Sequence, residues 1–400
     1  MGFRKVTLKN FTSHILQTGF FRNIRFRIHQ TPVFHLQGKT KRSAKDLSIV
    51  VATNKKNAYL FSQIAFTDEP KPELIGKTKL RDFEQILLDL DSDVTFVYEN
   101  ILYADFLSSK NFFVIPNIDF TMQISDPWET IIQRMCRTKR KKMRQMDKLG
   151  YEYEITKDLK KLRMFYDDLY KLHLQTKYGE YAGPSSFEGV KEQLMNGGLL
   201  LIKLDGEYVS GAIYRVIGTT LFIPVLSFGG PRESTQTSGV VLLYFLIRLG
   251  KEKGCTRIDY GGAFPSFTYG LFTYKKTCGM EISTYKSWDT RMMAVRFNNF
   301  DKGVQDFIAD SPFVFDDGEL KGLTIADVGD NLQSKYNTPG LSTLIVLSPQ
   351  ENSEYLLAQG AIPFNAENAK SASLSSLLGL ASQKNYHAYE LDFKRNPRPH

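Results

Sequence analysis

Residues 237–254, TSGVVLLYFLIRLGKEKG, constrain the fold more than any other stretch of this chain. Their first half is apolar nearly all round, so the segment is expected to be a helix buried on several sides. Thr237 or Ser238 can cap its start and Gly254 can end it. Strand-like runs flank it, TTLFIPVLSFGG before and TRIDY after. A buried helix between two neighbouring strands requires a sheet with helices on its faces.

At 400 residues the chain is too long for one ordinary core, so two or three domains are expected. With 42% hydrophobic and 24% charged residues it is neither disordered nor fibrous. A formal charge of +9 favours an anionic partner such as nucleic acid, a nucleotide-bearing cofactor or an anionic membrane surface, or simply gives a basic exterior. Cys136, Cys255 and Cys278 are too scattered for a disulfide framework, and the histidines show no ligand spacing, so no metal is expected. The start, MGFRKVTLKN, lacks the apolar core of a secretory signal, and Val6 stands where myristoylation wants Ser or Thr. The longest apolar run, Val240–Ile247, is far short of the ~20 residues of a membrane span. A cytoplasmic location is the expectation.

Residues 1–125 are expected to form a first domain of short strands around one or two helices. DLSIVVAT and DVTFVYEN look like buried strands, LRDFEQILLDLD like an amphipathic helix, and NFFVIPNIDFTMQI (111–124) like one long strand. Asp126-Pro127-Trp128-Glu129 reads as a helix start, with Asp126 as N-cap, Pro127 at the first helical position and Glu129 completing a capping box. One helix is expected from there to a stop at Gly150, burying Trp128, Ile131, Ile132, Met135, Met143, Met146 and Leu149. The pattern then runs β–α–α–β–β–β–α–β–α to about 295, with Asp205-Gly206 as a hairpin turn. Residues 296–400 are expected to be a small third α/β unit with a frayed tail, FKRNPRPH.

Two places in 126–295 have the composition of a binding site. SFGGPRESTQTSG (227–239) brings free N–H groups and a positive helix end to Thr237, Ser238 and Gly239, which suits a pyrophosphate, although ordinary capping would use the same residues. IDYGGAFPSFTYGLFTYKKTCG (258–279) joins a strand, two glycines and an aromatic-rich turn to a short helix carrying Tyr274, Lys275 and Lys276. Across the 126–150 helix from its apolar stripe lie Arg137, Lys139, Arg140, Lys141, Lys142 and Arg144. They either bind phosphates or form a solvated face, without the interleaved aromatics that stack bases.

In order and spacing these motifs resemble the acetyltransferase domain of the GNAT superfamily, in the branch related to the Fem aminoacyl transferases of peptidoglycan synthesis. TKRKKMRQ (138–145), TSGVVLL (237–243), IDYGG (258–262) and YGLFTYKKTCG (269–279) carry the resemblance, which spans about 111–290. It implies an α/β fold of the α+β kind, with two GNAT-like domains of twisted mixed sheets flanked by helices and a small C-terminal α/β unit. Residues 1–125 would be the degenerate first domain, 126–295 the acyltransferase and 296–400 a region outside the family pattern.

The implied activity is N-acyl transfer from an acyl thioester, acyl-CoA or an acyl carrier protein, to an amine of a sugar, peptide or lipid precursor of the cell envelope. No Ser–His–Asp or Cys–His pairing is evident, so transfer would be direct. The resemblance implies that Lys275 stabilises developing negative charge or binds a donor phosphate, and that Tyr274 or Tyr269 protonates the leaving group. Asp259 is a candidate base, or holds the turn. Thr237, Ser238, Gly239, Gly261 and Gly262 would line the donor site. Arg137, Lys139, Arg140, His173 and Tyr178 would face the substrate, although a lone helical histidine is often a packing residue. The basic helix also admits an aminoacyl-tRNA donor, but the helical arm of tRNA-dependent Fem enzymes is not visible. A non-catalytic nucleic-acid-binding protein on the same fold is a third reading.

Overall fold

The computed structural model describes residues 30–79, 82, 91–100, 103–178, 183–228, 235–284, 291–326 and 329–394. Outside them lie the N-terminal decamer, most of the expected helix LRDFEQILLDLD, the glycine-rich residues 229–234 and the tail 395–400, together with the side chains of Thr237, Ser238 and Tyr178.

The described residues form three mixed sheets flanked by helices. The first comprises β1 (Gln30–Lys39), β2 (Asp46–Ala52), β3 (Glu73–Lys79), β4 (Val94–Asn100), β5 (Phe113–Pro116) and β13 (Arg291–Phe297), in the order β3-β1-β2-β4-β13-β5. The two runs expected as buried strands are its parallel pair, β2 and β4. A strand buried on both faces reads as an unbroken apolar run, which is why both were legible.

The second sheet comprises β6 (Ile118–Gln123), β7 (Glu152–Thr156), β8 (Gly198–Leu204), β9 (Glu207–Ile217), β10 (Thr220–Ser227), β11 (Arg257–Ala263) and β12 (Glu281–Thr284), in the order β12-β6-β11-β10-β9-β8-β7. From β7 to the helix after β11 the elements follow the expected order β–α–α–β–β–β–α–β–α. Asp205 and Gly206 have φ of 51° and 80°, as a tight hairpin turn between β8 and β9 requires. The buried helix runs from Thr235 to Glu252, two residues earlier than the expected start, and Gly254 ends it at φ 69°. Residues 240–247 are all at most 5% exposed.

Two expectations fail at the seams. The stretch 111–124 is two strands: Pro116, with no N–H to donate, ends β5 in the first sheet, and β6 begins in the second after Asn117. The chain crosses back between β12 and β13, so 118–123 belongs to the second sheet and 291–297 to the first. Sheet membership therefore cuts across the boundaries read at 125 and 295.

The single helix expected over 126–150 is two, Trp128–Gln133 and Arg137–Gln145, followed by a short 3-10 turn. Cys136 breaks it in an extended conformation, donating its N–H to the Thr277 carbonyl at 2.9 Å. Pro127 occupies the N-cap itself, while Asp126 pairs with Arg134 and Glu129 with Arg144. Gly150, at φ 70°, does mark the stop, but Leu149 is 44% exposed.

The third sheet comprises β14 (Phe313–Asp316), β15 (Leu320–Ile325), β16 (Thr343–Pro349), β17 (Ile362–Pro363) and β18 (Tyr386–Asp392), in the order β14-β15-β16-β18-β17. It is not an appendage. Its Leu344 and Val346, with Tyr336 of the helix Leu332–Tyr336, share one apolar cluster with Ile258 and Phe272 of the second unit, and Phe313 and Ile345 share another with Val51 and Phe96 of the first.

At the far edge of the second sheet, Glu154 on β7 pairs with Lys161, with the Tyr208 hydroxyl at 2.9 Å and with Lys203 at 3.1 Å. These partners, Lys161 foremost, lower its pKa from 4.5 to about 2. A depressed carboxyl stabilises the fold fully above its unfolded value and loses that contribution as the pH falls. Because the groups are partly exposed, Glu154→Gln is expected to lower stability by only about 1 kcal/mol at pH 7. Urea titrations should show the gap closing as the pH falls from 4.5 to about 2. A gap that persists there would assign the effect to packing.

Candidate active site

The parallel ladder between β10 and β11 is short. It pairs Thr220 with Arg257, Leu221 with Ile258 and Phe222 with Asp259, and ends there although both strands continue. On its other edge β10 shifts register between Phe222 and Val225, around Pro224. β11 likewise shifts register against β6 between Asp259 and Gly262. The two strands thus part toward their carboxyl ends, and the buried helix that connects them begins beside the gap.

The double glycine is the bulge in β11. Gly261 has φ 69°, a conformation costly for other residues, and its N–H donates to Asp259 Oδ1 at 2.9 Å. Asp259 therefore holds the turn, the second of the two roles considered for it. The bulge turns three successive carbonyls toward one point. Lys275 Nζ sits there, donating to Tyr260 O at 2.9 Å, Gly261 O at 2.7 Å and Gly262 O at 2.9 Å. The side chain is 1% exposed. Lys275 thus pins the parted strand end through three main-chain oxygens. Asp119, 6% exposed and opposite Gly262 in the β6–β11 ladder, is a buried carboxylate beside this bulge that the sequence reading missed.

The helix Gly270–Thr277 sends its three consecutive polar side chains to three different places. Lys276 donates to the Lys335 carbonyl in the third unit. Tyr274 turns to the buried helix, its hydroxyl donating to Gly239 O at 2.7 Å. Gly239 eases this approach, since a Cβ there would stand 3.0 Å from the Tyr274 ring and hydroxyl. Phe228, at the end of β10, lies against the Tyr274 ring at 5.5 Å and against His173 at 5.7 Å. The structure therefore gathers His173, Phe228, Gly239 and Tyr274 on the side of the gap. Phe228 was not singled out from the sequence. Next to His173 the helix carries a π segment, Phe165–Lys171, and its Leu169 carbonyl accepts from Ser227 Oγ at 2.9 Å.

Lys139 also turns inward. Its Nζ lies 4.0 Å over the Tyr274 ring and donates to Tyr274 O and Thr277 Oγ1, each at 2.7 Å, and toward Cys278 Sγ at 3.1 Å. The signal for this was present, because Lys139 stands four residues from both Met135 and Met143 on the apolar stripe. Arg140 pairs with Gln133, while Arg137 and Lys141 are exposed. The basic run is thus divided among inward, paired and solvent-facing roles. Burial pushes the Tyr274 phenol well above 10, with the Cys278 and Tyr260 side chains adding to the shift. Tyr274 is therefore a protonated hydrogen-bond donor at neutral pH, and a weaker acid than an ordinary phenol.

Tyr269 stands apart, at the N-cap of its helix with its ring 5.8 Å from Phe264. It lines a cavity of about 350 Å³ with Tyr98, Asn117, Gly262, Phe264 and Met293, where the first sheet meets the end of β11. The aromatic turn also docks the third sheet. Ser266 bridges Phe313, Phe267 N–H donates to Pro312 O at 3.0 Å, and the Phe267 ring meets Tyr336 at 5.2 Å.

No protein-family model and no curated protein sequence matches the chain. Among solved structures it is similar to FemX, with 14% identity, a TM-score of 0.37 and coverage of 66% of this chain and 84% of that one. It is also similar to L-PGS from Bacillus licheniformis, with 13% identity, a TM-score of 0.35 and coverage of 68% and 87%. A GCN5-related N-acetyltransferase from Sphaerobacter thermophilus shows 9% identity, a TM-score of 0.30 and coverage of 56% and 67%. Similarities of this size concern fold, and the chemistry of the site rests on its own geometry. Among the described residues no helix is long and apolar enough to cross a membrane, and no group of three or more His, Cys, Asp or Glu is placed to hold a metal ion.

Proposed function

We propose that the protein moves an acyl group from an acyl thioester to an amine by direct transfer, with the donor lying where β10 and β11 part. The observation that carries this reading is the early end of their ladder. An extended amide chain, such as the arm shared by CoA and acyl carrier proteins, can add to strand edges left without a partner. The buried helix starts beside that gap, and its first turn suits the donor's phosphates. Tyr274, its hydroxyl turning from Gly239 O once the donor is bound, is the hydrogen-bond donor for the leaving thiolate. Its raised pKa disfavours full proton transfer and favours stabilisation through the hydrogen bond.

The cavity beside Tyr269 would take part of the acceptor. Its lining is neutral, so the group seated there is uncharged, and the amine reaches past Gly262 to the thioester. A cell-envelope precursor satisfies both requirements. The exposed Arg137 and Lys141 favour the second reading, an aminoacyl-tRNA donor of the Fem type.

Thermal unfolding with CoA, acetyl-CoA, a long-chain acyl-CoA and bulk tRNA separates the readings. A ligand at a hundred times its Kd adds about 2.7 kcal/mol to stability. The expected result is an upward shift with the CoA compounds and little with tRNA. A shift with tRNA alone, steeply reduced by salt, would transfer the proposal to the second reading. No shift with any of them would remove the donor site from the β10–β11 gap.

A further inference from the structure

A second cavity, of about 240 Å³, lies away from the β10–β11 gap, where the first unit meets the third sheet. It opens outside the carboxyl ends of β15 and β16, which run parallel; Ile325, Ala326 and Pro349 line it there. Loops at the carboxyl ends of parallel strands are where open α/β sheets bind ligands. Three segments far apart in sequence supply its charges. Arg42 comes from the turn after β1, Lys302 and Asp306 from the helix Lys302–Asp310, and Glu351 from the segment after β16.

Asp306 is the fixed point. Its side chain is fully buried, and Oδ2 accepts from Thr40 Oγ1 at 2.9 Å and from Ser43 Oγ. Oδ1 makes no hydrogen bond of good geometry and faces Lys302 Nζ at 3.1 Å, from a side chain that is 52% exposed. One arm of this ion pair is thus rigid and the other is free to swing. Arg42 is likewise paired across the cavity rim, with Asp310 at 3.1 Å.

We propose that this cavity binds a small zwitterion, a free amino acid or the equivalent α-amino carboxylate. The argument is charge balance. An anion alone would draw Lys302 away and strand the buried Asp306; a cation alone would have to displace Lys302 from Asp306 Oδ1 with no contact to offset the ion pair it breaks. A zwitterion avoids both costs. Its ammonium replaces Lys302 at Asp306 Oδ1, and its carboxylate becomes the new partner of Lys302. Glu351 adds to the pull on the ammonium, while Ile325 and Ala326 give an apolar wall for a short side chain. The volume is below the range of about 300–1,000 Å³ for drug-sized ligands, which fits an occupant of this size.

The site is tested by titration calorimetry of the intact chain with the twenty standard amino acids, using acetate and ethylammonium as single-charge controls. The expected result is saturable binding of one or a few amino acids and none of either control. Lys302→Gln and Glu351→Gln should each weaken that binding about tenfold; the melting temperature of Lys302→Gln is measured beside it, because this change also takes the cation from buried Asp306, whereas Glu351 is exposed and makes no such pair. Tyr274→Phe, in the other site, should leave it unaltered. The proposal is overturned if no amino acid binds, if acetate or ethylammonium binds as tightly, or if neither cavity variant weakens the binding.

Discussion

Lys275→Ala is expected to destabilise the fold by about 3 kcal/mol or more, since three buried carbonyls lose a hydrogen bond at about 1–3 kcal/mol each. The family pattern implied the opposite, a loss of turnover with the fold intact. The difference comes from the three carbonyls of Tyr260, Gly261 and Gly262, which the ammonium satisfies together. Without it they are stranded in the interior, and the bulge that parts β11 from β10 loses what fixes it. Lys276→Ala removes the bond to the Lys335 carbonyl and a contact over the Phe267 ring, and should cost about 1–2 kcal/mol. Denaturant midpoints of the two variants make the comparison. If Lys275→Ala stays within about 1 kcal/mol of the parent while acyl transfer fails, the ammonium must leave its carbonyls for the donor, and the catalytic assignment returns.

Tyr274→Phe is expected to lower kcat for thiol release from acyl-CoA by about 10²-fold or more, the scale of one lost hydrogen-bond donor to charge developing in the transition state. Its bond to Gly239 O contributes only about 1 kcal/mol, so the variant should stay folded and bind CoA as the parent does. The pH dependence is a second check. The phenol is raised in the fold from 10, so its contribution to stability is whole below pH 10 and is lost as the pH rises through the folded value. Turnover should therefore show no limb from Tyr274 between pH 8 and 10. An active Tyr274→Phe would leave Tyr274 as packing against Gly239 and Phe228, and the leaving group would need another donor.

Glu154→Gln is a useful control for both, because it lies at the far edge of the second sheet. Its effect should appear in the acid limb of stability and nowhere in turnover.

What the sequence determined by itself was whatever depends on local pattern. The all-round apolar run of 240–247 requires burial wherever it lies, Asp205-Gly206 makes a hairpin turn, and the parallel strands β2 and β4 read as unbroken apolar runs. The glycine pair at 261 and 262 likewise marked a turn, and Gly261 takes a backbone conformation that other residues avoid. What each cation does was decided only by the tertiary structure. Tyr274, Lys275 and Lys276 are consecutive on one helix, so they point about 100° apart, and nothing local says which neighbour lies in each direction. Lys139 is a partial exception: its spacing from Met135 and Met143 placed it on the apolar side, but its partners, the main-chain carbonyl of Tyr274 and the hydroxyl of Thr277, come only with the fold. The break at Cys136 has the same origin, since its N–H is claimed by Thr277 from 141 residues further along. Docking of the third sheet against Ser266 and Phe267 was equally invisible. A long-range partner leaves no period in the sequence, because its contribution comes from groups brought together only once the chain has folded.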